Sequence, residues 1–136
     1  MPTALIAGFG KASSLANENH GVWNQEYYMN KQYLLTELNS SGIYYSINGD
    51  PDSCINNSIS ISFKGVNAEA LMLALREDCA ISNGSACTAN EYSLSHVLLA
   101  MGLNENTIEE SVRISWGIEP ITGGVGKLIH VIKELQ

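Results

Sequence analysis

Apolar positions along the chain switch between two periods, and each switch marks an element. Leu5, Phe9, Ala12, Leu15 and Ala16 fall at helical spacing and predict a helix over about residues 4–18. Gly8 and Gly10 weaken it by roughly 1 kcal/mol each relative to alanine. Asn19-His20-Gly21 predicts a break or kink. Trp23, Tyr27, Leu34, Leu35 and Leu38 mark a longer second helix that ends at Asn39-Ser40-Ser41-Gly42, with Gly42 near the C′ position. The period then shortens to two. Ile43, Tyr45 and Ile47 alternate with Tyr44, Ser46 and Asn48, and Ile59, Ile61 and Phe63 alternate with Ser58, Ser60 and Ser62. Both runs predict strands, the second with one polar face. Lys64-Gly65 turns the chain, and Asn67 is suited to cap a helix through Leu71, Leu75 and Arg76.

Further along, Cys79 to Ser82 predicts a short strand. Ser93 or Ser95 starts a helix through Val97, Leu98 and Met101 that Gly102 stops. A short helix is expected around Glu105 to Glu109 and a strand over Val112 to Trp116. Val125, Leu128, Ile129, Ile132 and Leu135 mark a closing helix. Helices and strands mix without strict βαβ alternation, which makes the class α+β: a small three- to four-stranded, mostly antiparallel sheet packed on helices. The Asn48 to Asn57 stretch is loop-like but sits inside the domain, so residues 1–136 read as a single domain.

Composition narrows the function more than the fold. Seven basic against fourteen acidic residues give a net charge of −7. Direct nucleic-acid binding needs clustered Lys and Arg, and an anionic membrane surface would repel this balance. No apolar run approaches the ~20 residues that span a bilayer. The amino terminus lacks the pattern of a signal peptide. Cys54, Cys79 and Cys87 are odd in number and form no CxxC pair, which fits a reducing, cytoplasmic setting.

The candidate chemistry centres on Ser82-Asn83-Gly84-Ser85-Ala86-Cys87-Thr88. Small residues surround one thiol just after a short apolar run, a mounting that suits a nucleophile that must travel to a substrate. The competing reading is a small buried hydrophobe, the usual fate of a free cysteine. Arg113 is one of two arginines and lies mid-strand, on the face opposite Val112, Ile114 and Trp116. Its guanidinium is suited to two parallel hydrogen bonds to a carboxylate; a surface arginine on an edge strand is the alternative. Cys54 reads as a bystander in a polar loop and Cys79 as buried. His96 reads as structural, hydrogen-bonded near the base of the cysteine segment. His20 and His130 have no partners at ligand spacing, and no recognised zinc spacing links Cys79, Cys87 and His96, so no metal is expected. Gly123-Gly124-x-Gly126 lacks the Gly-Lys-Ser/Thr ending of a phosphate loop.

Three ordered motifs carry a family resemblance: Gly84-Ser85-Ala86-Cys87, then Ser95-His96-Val97-Leu98-Leu99-Ala100-Met101-Gly102, then Ser111-Val112-Arg113-Ile114-Ser115. Together they resemble the carboxy-terminal part of the NifS/IscS-type cysteine desulfurases, pyridoxal-phosphate enzymes of the aminotransferase class V group. The likeness extends weakly back through Asn48-Gly49-Asp50 to Ile6-Ala7-Gly8-Phe9-Gly10-Lys11-Ala12. It implies the small carboxy-terminal domain of a fold-type I enzyme, with residues 1–20 as the end of a preceding helical connection. It implies Cys87 as the catalytic nucleophile that takes sulfur from L-cysteine as a persulfide, with alanine released. Arg113 would grip the substrate carboxylate. A sulfur-acceptor protein and a homodimeric parent are also implied. The acceptor is an iron–sulfur scaffold, a tRNA-thiolation protein or the DNA phosphorothioation machinery.

The resemblance also has gaps. No lysine follows the Ser/Thr-x-His pattern of the family's cofactor lysine, so pyridoxal phosphate is expected in the full-length parent, and no cofactor-binding residue or activity in this chain alone. The family's acidic stretch before the last helix is replaced by Ile121-Thr122-Gly123-Gly124. Two other readings stand beside the desulfurase. One is a stand-alone module that binds partners or carries persulfide without making it; an upstream in-frame Ser/Thr-x-His-Lys motif separates the two. The other is a thiol peroxidase or redox sensor using Cys87, with Cys79 as resolving thiol.

Overall fold

The computed structural model describes residues 2–83 and 94–136. The elements run α1 (Thr3–Ser41), β1 (Tyr45–Ile47), β2 (Ser58–Phe63), α2 (Ala68–Leu75), α3 (His96–Ala100), α4 (Glu105–Glu109), β3 (Ser111–Ser115) and α5 (Thr122–Leu135). The three strands form one antiparallel sheet in the order β1-β2-β3. This is the α+β class that the two periods predict.

The expected break at Asn19-His20-Gly21 does not occur, and one helix of 39 residues replaces the expected pair. The physical reason lies in the side chains. Asn19 Nδ2 donates to Leu15 O at 2.8 Å and His20 Nδ1 lies 3.2 Å from Asn17 O, so both bond back onto the helix. Gly21 carries an entropic cost but no steric one, and no proline removes a helical N–H. The helix does end where expected, with Gly42 left-handed at φ 78°.

Only the carboxy-terminal half of α1 enters the core. Leu34 and Leu38 are fully buried there, while Leu5 and Phe9 are 74% and 76% exposed. The core face of the sheet is set by strand alternation. Tyr45 pairs Phe63, Ile47 pairs Ile61, Ile61 pairs Val112 and Ile59 pairs Ile114, so these side chains share one face. Leu71 and Leu75 of α2 join the same core, as do Val125, Leu128, Val131 and Ile132 of α5. Each such fully buried aliphatic side chain contributes about 1.5–3 kcal/mol. Two polar ties lock α1 onto the segment after β3. Trp116 Nε1 donates to Tyr27 O at 3.1 Å, and Asn30 Nδ2 donates to Glu119 O at 2.9 Å.

The predicted caps form. Asn67 Oδ1 accepts from Glu69 N at 3.0 Å and Ala70 N at 3.1 Å, starting α2. Ser95 Oγ accepts from Leu98 N and starts α3; the alternative start, Ser93, lies outside the described residues. Residues 79–81 are not a strand, and only Ser82 makes a β-bridge.

Candidate active site

The second face of the sheet is polar because every other residue of its strands is. In register, Ser46 meets Ser62, which meets Ser111; Ser60 meets Arg113; Ser58 meets Ser115. Asn48 extends the same face, since its backbone N–H donates to Ser60 O at 2.9 Å. α3 and α4 lie on this face, which is why Ser62 and Ser111 are buried although polar. Buried hydroxyls need partners, and the fold supplies them. Asn48 Nδ2 donates to Ser111 Oγ at 2.9 Å and to Ser60 Oγ at 3.1 Å, and Ser111 Oγ donates to Thr107 O at 2.5 Å.

Between this floor and α3 lies a cavity of about 190 Å³. Asn48, Ser60, Ser111 and Arg113 contribute polar groups to it, and Val97, Leu98 and Met101 give it one apolar wall. Gly49, at φ 95°, makes the tight turn beside that wall: a Cβ there would stand 3.4 Å from Met101 Cε.

Arg113 sits mid-strand on the polar face with an exposed side chain, as the alternation predicts. No carboxylate pairs with its guanidinium among the described residues. Its backbone is held on both sides. β2 flanks one edge, and on the other Arg113 N donates to Ser82 O at 2.5 Å while Ser82 N donates to Arg113 O at 3.0 Å. A guanidinium on a rigid strand, facing a polar-floored cavity, is equipped to bind a small carboxylate.

Cys87 lies outside the described residues. The two ends of the segment that carries it do not. Asn83 on one side and Ser95 on the other both line the Arg113 cavity.

The other sequence candidates fall elsewhere. His96 opens α3 and is exposed; the bond expected near the base of the cysteine segment falls on residues outside those described, and Ser95 caps the helix. Cys79 lines an apolar cavity of about 140 Å³ on the core side with Leu34, Ile81 and Leu128. Burial, and then the charge of Asp78, push its thiol up. Cys54 is exposed, as expected of a polar loop. Asn48 and Ser60 were not singled out as site residues from the sequence. The signal was present in the alternation, which puts both on the face of Arg113.

The resemblance implies pyridoxal phosphate in the full-length parent. None of the five lysines lines the Arg113 cavity. Lys31 is buried against Pro51 O and Cys54, and Lys127 lies 3.5 Å from Asp78.

Comparison with known proteins follows the same lines. The family model for aminotransferase class-V matches residues 1–127. A cysteine desulfurase IscS from Shewanella pealeana is 35% identical over 134 residues, which is 98% of this chain and 33% of that protein. A putative cysteine desulfurase IscS 1 from Bacillus subtilis is 32% identical over 136 residues, covering 96% of this chain and 36% of its own length. In fold, the chain superposes on a NifS-like protein from Rickettsia africae with a TM-score of 0.76 at 24% identity, over 96% of this chain and 33% of that one. The solved structure of DndA from Streptomyces lividans matches with a TM-score of 0.62 at 28% identity, over 86% and 32%. The chain thus spans about a third of the length of the curated relatives it matches.

Proposed function

The chain belongs to the aminotransferase class-V family, and from that premise we propose that it is the carboxy-terminal domain of a pyridoxal-phosphate-dependent cysteine desulfurase. The observation that carries the reading is the Arg113 cavity with both ends of the Cys87 segment on its rim. Arg113 binds the carboxylate of L-cysteine through two parallel hydrogen bonds. Cys87, as thiolate, attacks the substrate sulfur. A sulfur–sulfur bond forms, the carbon–sulfur bond breaks, and the carbon keeps the electron pair and takes a proton to leave as alanine. Held by the rest of the whole protein against the same substrate, pyridoxal phosphate would supply the electron sink that this cleavage requires. The Cys87 persulfide then passes its sulfur to an acceptor protein: an iron–sulfur scaffold, a tRNA-thiolation protein or the phosphorothioation machinery. The parent is a homodimer that does not itself contact nucleic acid.

The same reading accounts for the bare end of α1. Residues 3–20 connect to the rest of the polypeptide, which covers Leu5, Ile6 and Phe9. A chain lacking that part is inactive. Incubated with pyridoxal phosphate and cysteine, the 136 residues alone develop no stable visible absorption band and release no sulfide; turnover by this chain would overturn that part.

The test is Arg113→Lys in the full gene product. Lysine keeps the charge but loses the planar two-bond geometry. Loss of one charge-assisted hydrogen bond costs about 1.5–3 kcal/mol, roughly ten- to a hundredfold in kcat/KM for cysteine. Thermal melting stays unchanged, because the side chain is outside the core. Wild-type kinetics in Arg113→Lys would remove the carboxylate role.

A further inference from the structure

The hydrogen bonds under the Arg113 cavity run in one direction. Ser111 Oγ gives its single proton to Thr107 O at 2.5 Å, so toward Asn48 it only accepts. That fixes the Asn48 amide. Its Nδ2 faces the serines, and the two hydrogens go to Ser111 Oγ at 2.9 Å and Ser60 Oγ at 3.1 Å. Ser60 Oγ therefore accepts from Asn48 and keeps its own proton to donate. Among the described residues no group takes that proton. Ser60 is half-buried, lies directly opposite Arg113 in the register of β2 and β3, and lines the same cavity. Opposed Cβ atoms on neighbouring antiparallel strands stand about 4.5–5.5 Å apart. A guanidinium and a hydroxyl proton thus border one space, and both are donors.

We propose, resting on the reading of Arg113 as carboxylate clamp, that Ser60 is a second binding residue of the site. Its hydroxyl donates to the same carboxylate of L-cysteine, and Asn48 is the positioning residue that aims it. An ionised carboxylate offers about four acceptor positions on its two oxygens, and a paired guanidinium fills two of them. A third donor on the flank of the guanidinium fits one of the other two. The side chains of Val97, Leu98 and Met101 give the apolar wall of the cavity and bring no competing donor. Donors from two adjacent strands fix the plane of the carboxylate, where one flexible guanidinium leaves it free to tilt. The site therefore selects amino acids over amines of the same size.

The experiment uses the full gene product and two inhibitors of cysteine turnover that differ only in the carboxylate: L-alanine, the product, and ethylamine. Inhibition constants are measured for each. Ser60→Ala weakens L-alanine about tenfold, as expected for one lost hydrogen bond to a charged group, and leaves ethylamine unchanged. Ser60→Thr, which keeps the hydroxyl, retains most of the alanine affinity. In Asn48→Ala the hydroxyl is no longer aimed, and alanine weakens again while ethylamine does not. Equal weakening of both inhibitors in Ser60→Ala, or of neither, overturns the role of Ser60, because loss of packing does not distinguish the two. Arg113→Lys in the same assay separates this proposal from the reading beneath it. If Arg113→Lys weakens alanine and Ser60→Ala does not, Ser60 alone falls. If Arg113→Lys leaves alanine unchanged, the clamp falls and Ser60 with it.

Discussion

At Asp50, two hydrogen bonds decide where a carboxyl titrates. Ser53 Oγ donates to it, then Asp52 N, and these hold its carboxyl below the usual carboxylate range. With the folded value lowered, the contribution to the turn is present above the unfolded value and is lost as pH falls through the folded one. A carboxyl-carbon NMR titration reads this directly: Asp50 titrates below a free aspartate, and Ser53→Ala moves it upward. A titration at or above the free value would mean that the turn is held otherwise. Residue-scale legibility was uneven. Arg113 could be placed because strand alternation alone decides its face. Asn48 could not be ranked as a site residue, because its value comes from bonds to Ser60 and Ser111, 12 and 63 positions away.

Among the elements, local signals were reliable where a cap or a period was complete. Asn67 followed by an apolar helical period predicts α2, and the cap carries two hydrogen bonds. Asn67→Ala should therefore cost roughly 1 kcal/mol of stability; urea denaturation that finds no loss would show that the cap is dispensable. α1 was misread because Asn, His and Gly in a row resemble a stop. Their side chains bond back to Leu15 O and Asn17 O, and no geometry in the row forbids a helix. A Cβ at Gly21 meets nothing within 4 Å. Gly21→Ala should stabilise α1 by roughly 0.5–1 kcal/mol. Destabilisation in the same urea experiment would indicate that the helix does bend there.

For the whole molecule, burial is lopsided. The carboxy-terminal half of α1, the sheet, α2 and α5 share one core, while residues 2–18 are exposed throughout. A helix with no packed face is marginal in water. Hydrogen exchange on the 136-residue chain should therefore be fast over residues 4–18 and slow over residues 30–41. Equal protection would show that the first half is stabilised in the chain itself. The α+β class was legible because each strand alternates cleanly; the seating of α3 and α4 on the polar face was not, because serines there look solvent-facing in sequence. The central claim joins two residues, Cys87 and Arg113, in one reaction. Its most direct measurement feeds isotopically labelled L-cysteine to the full gene product without acceptor and quantifies labelled persulfide on the Cys87 peptide by mass spectrometry. The account predicts label on Cys87, much less in Arg113→Lys, and none transferred in Cys87→Ser. Label that settles on another cysteine, or acceptor sulfuration that persists in Cys87→Ser, would contradict it.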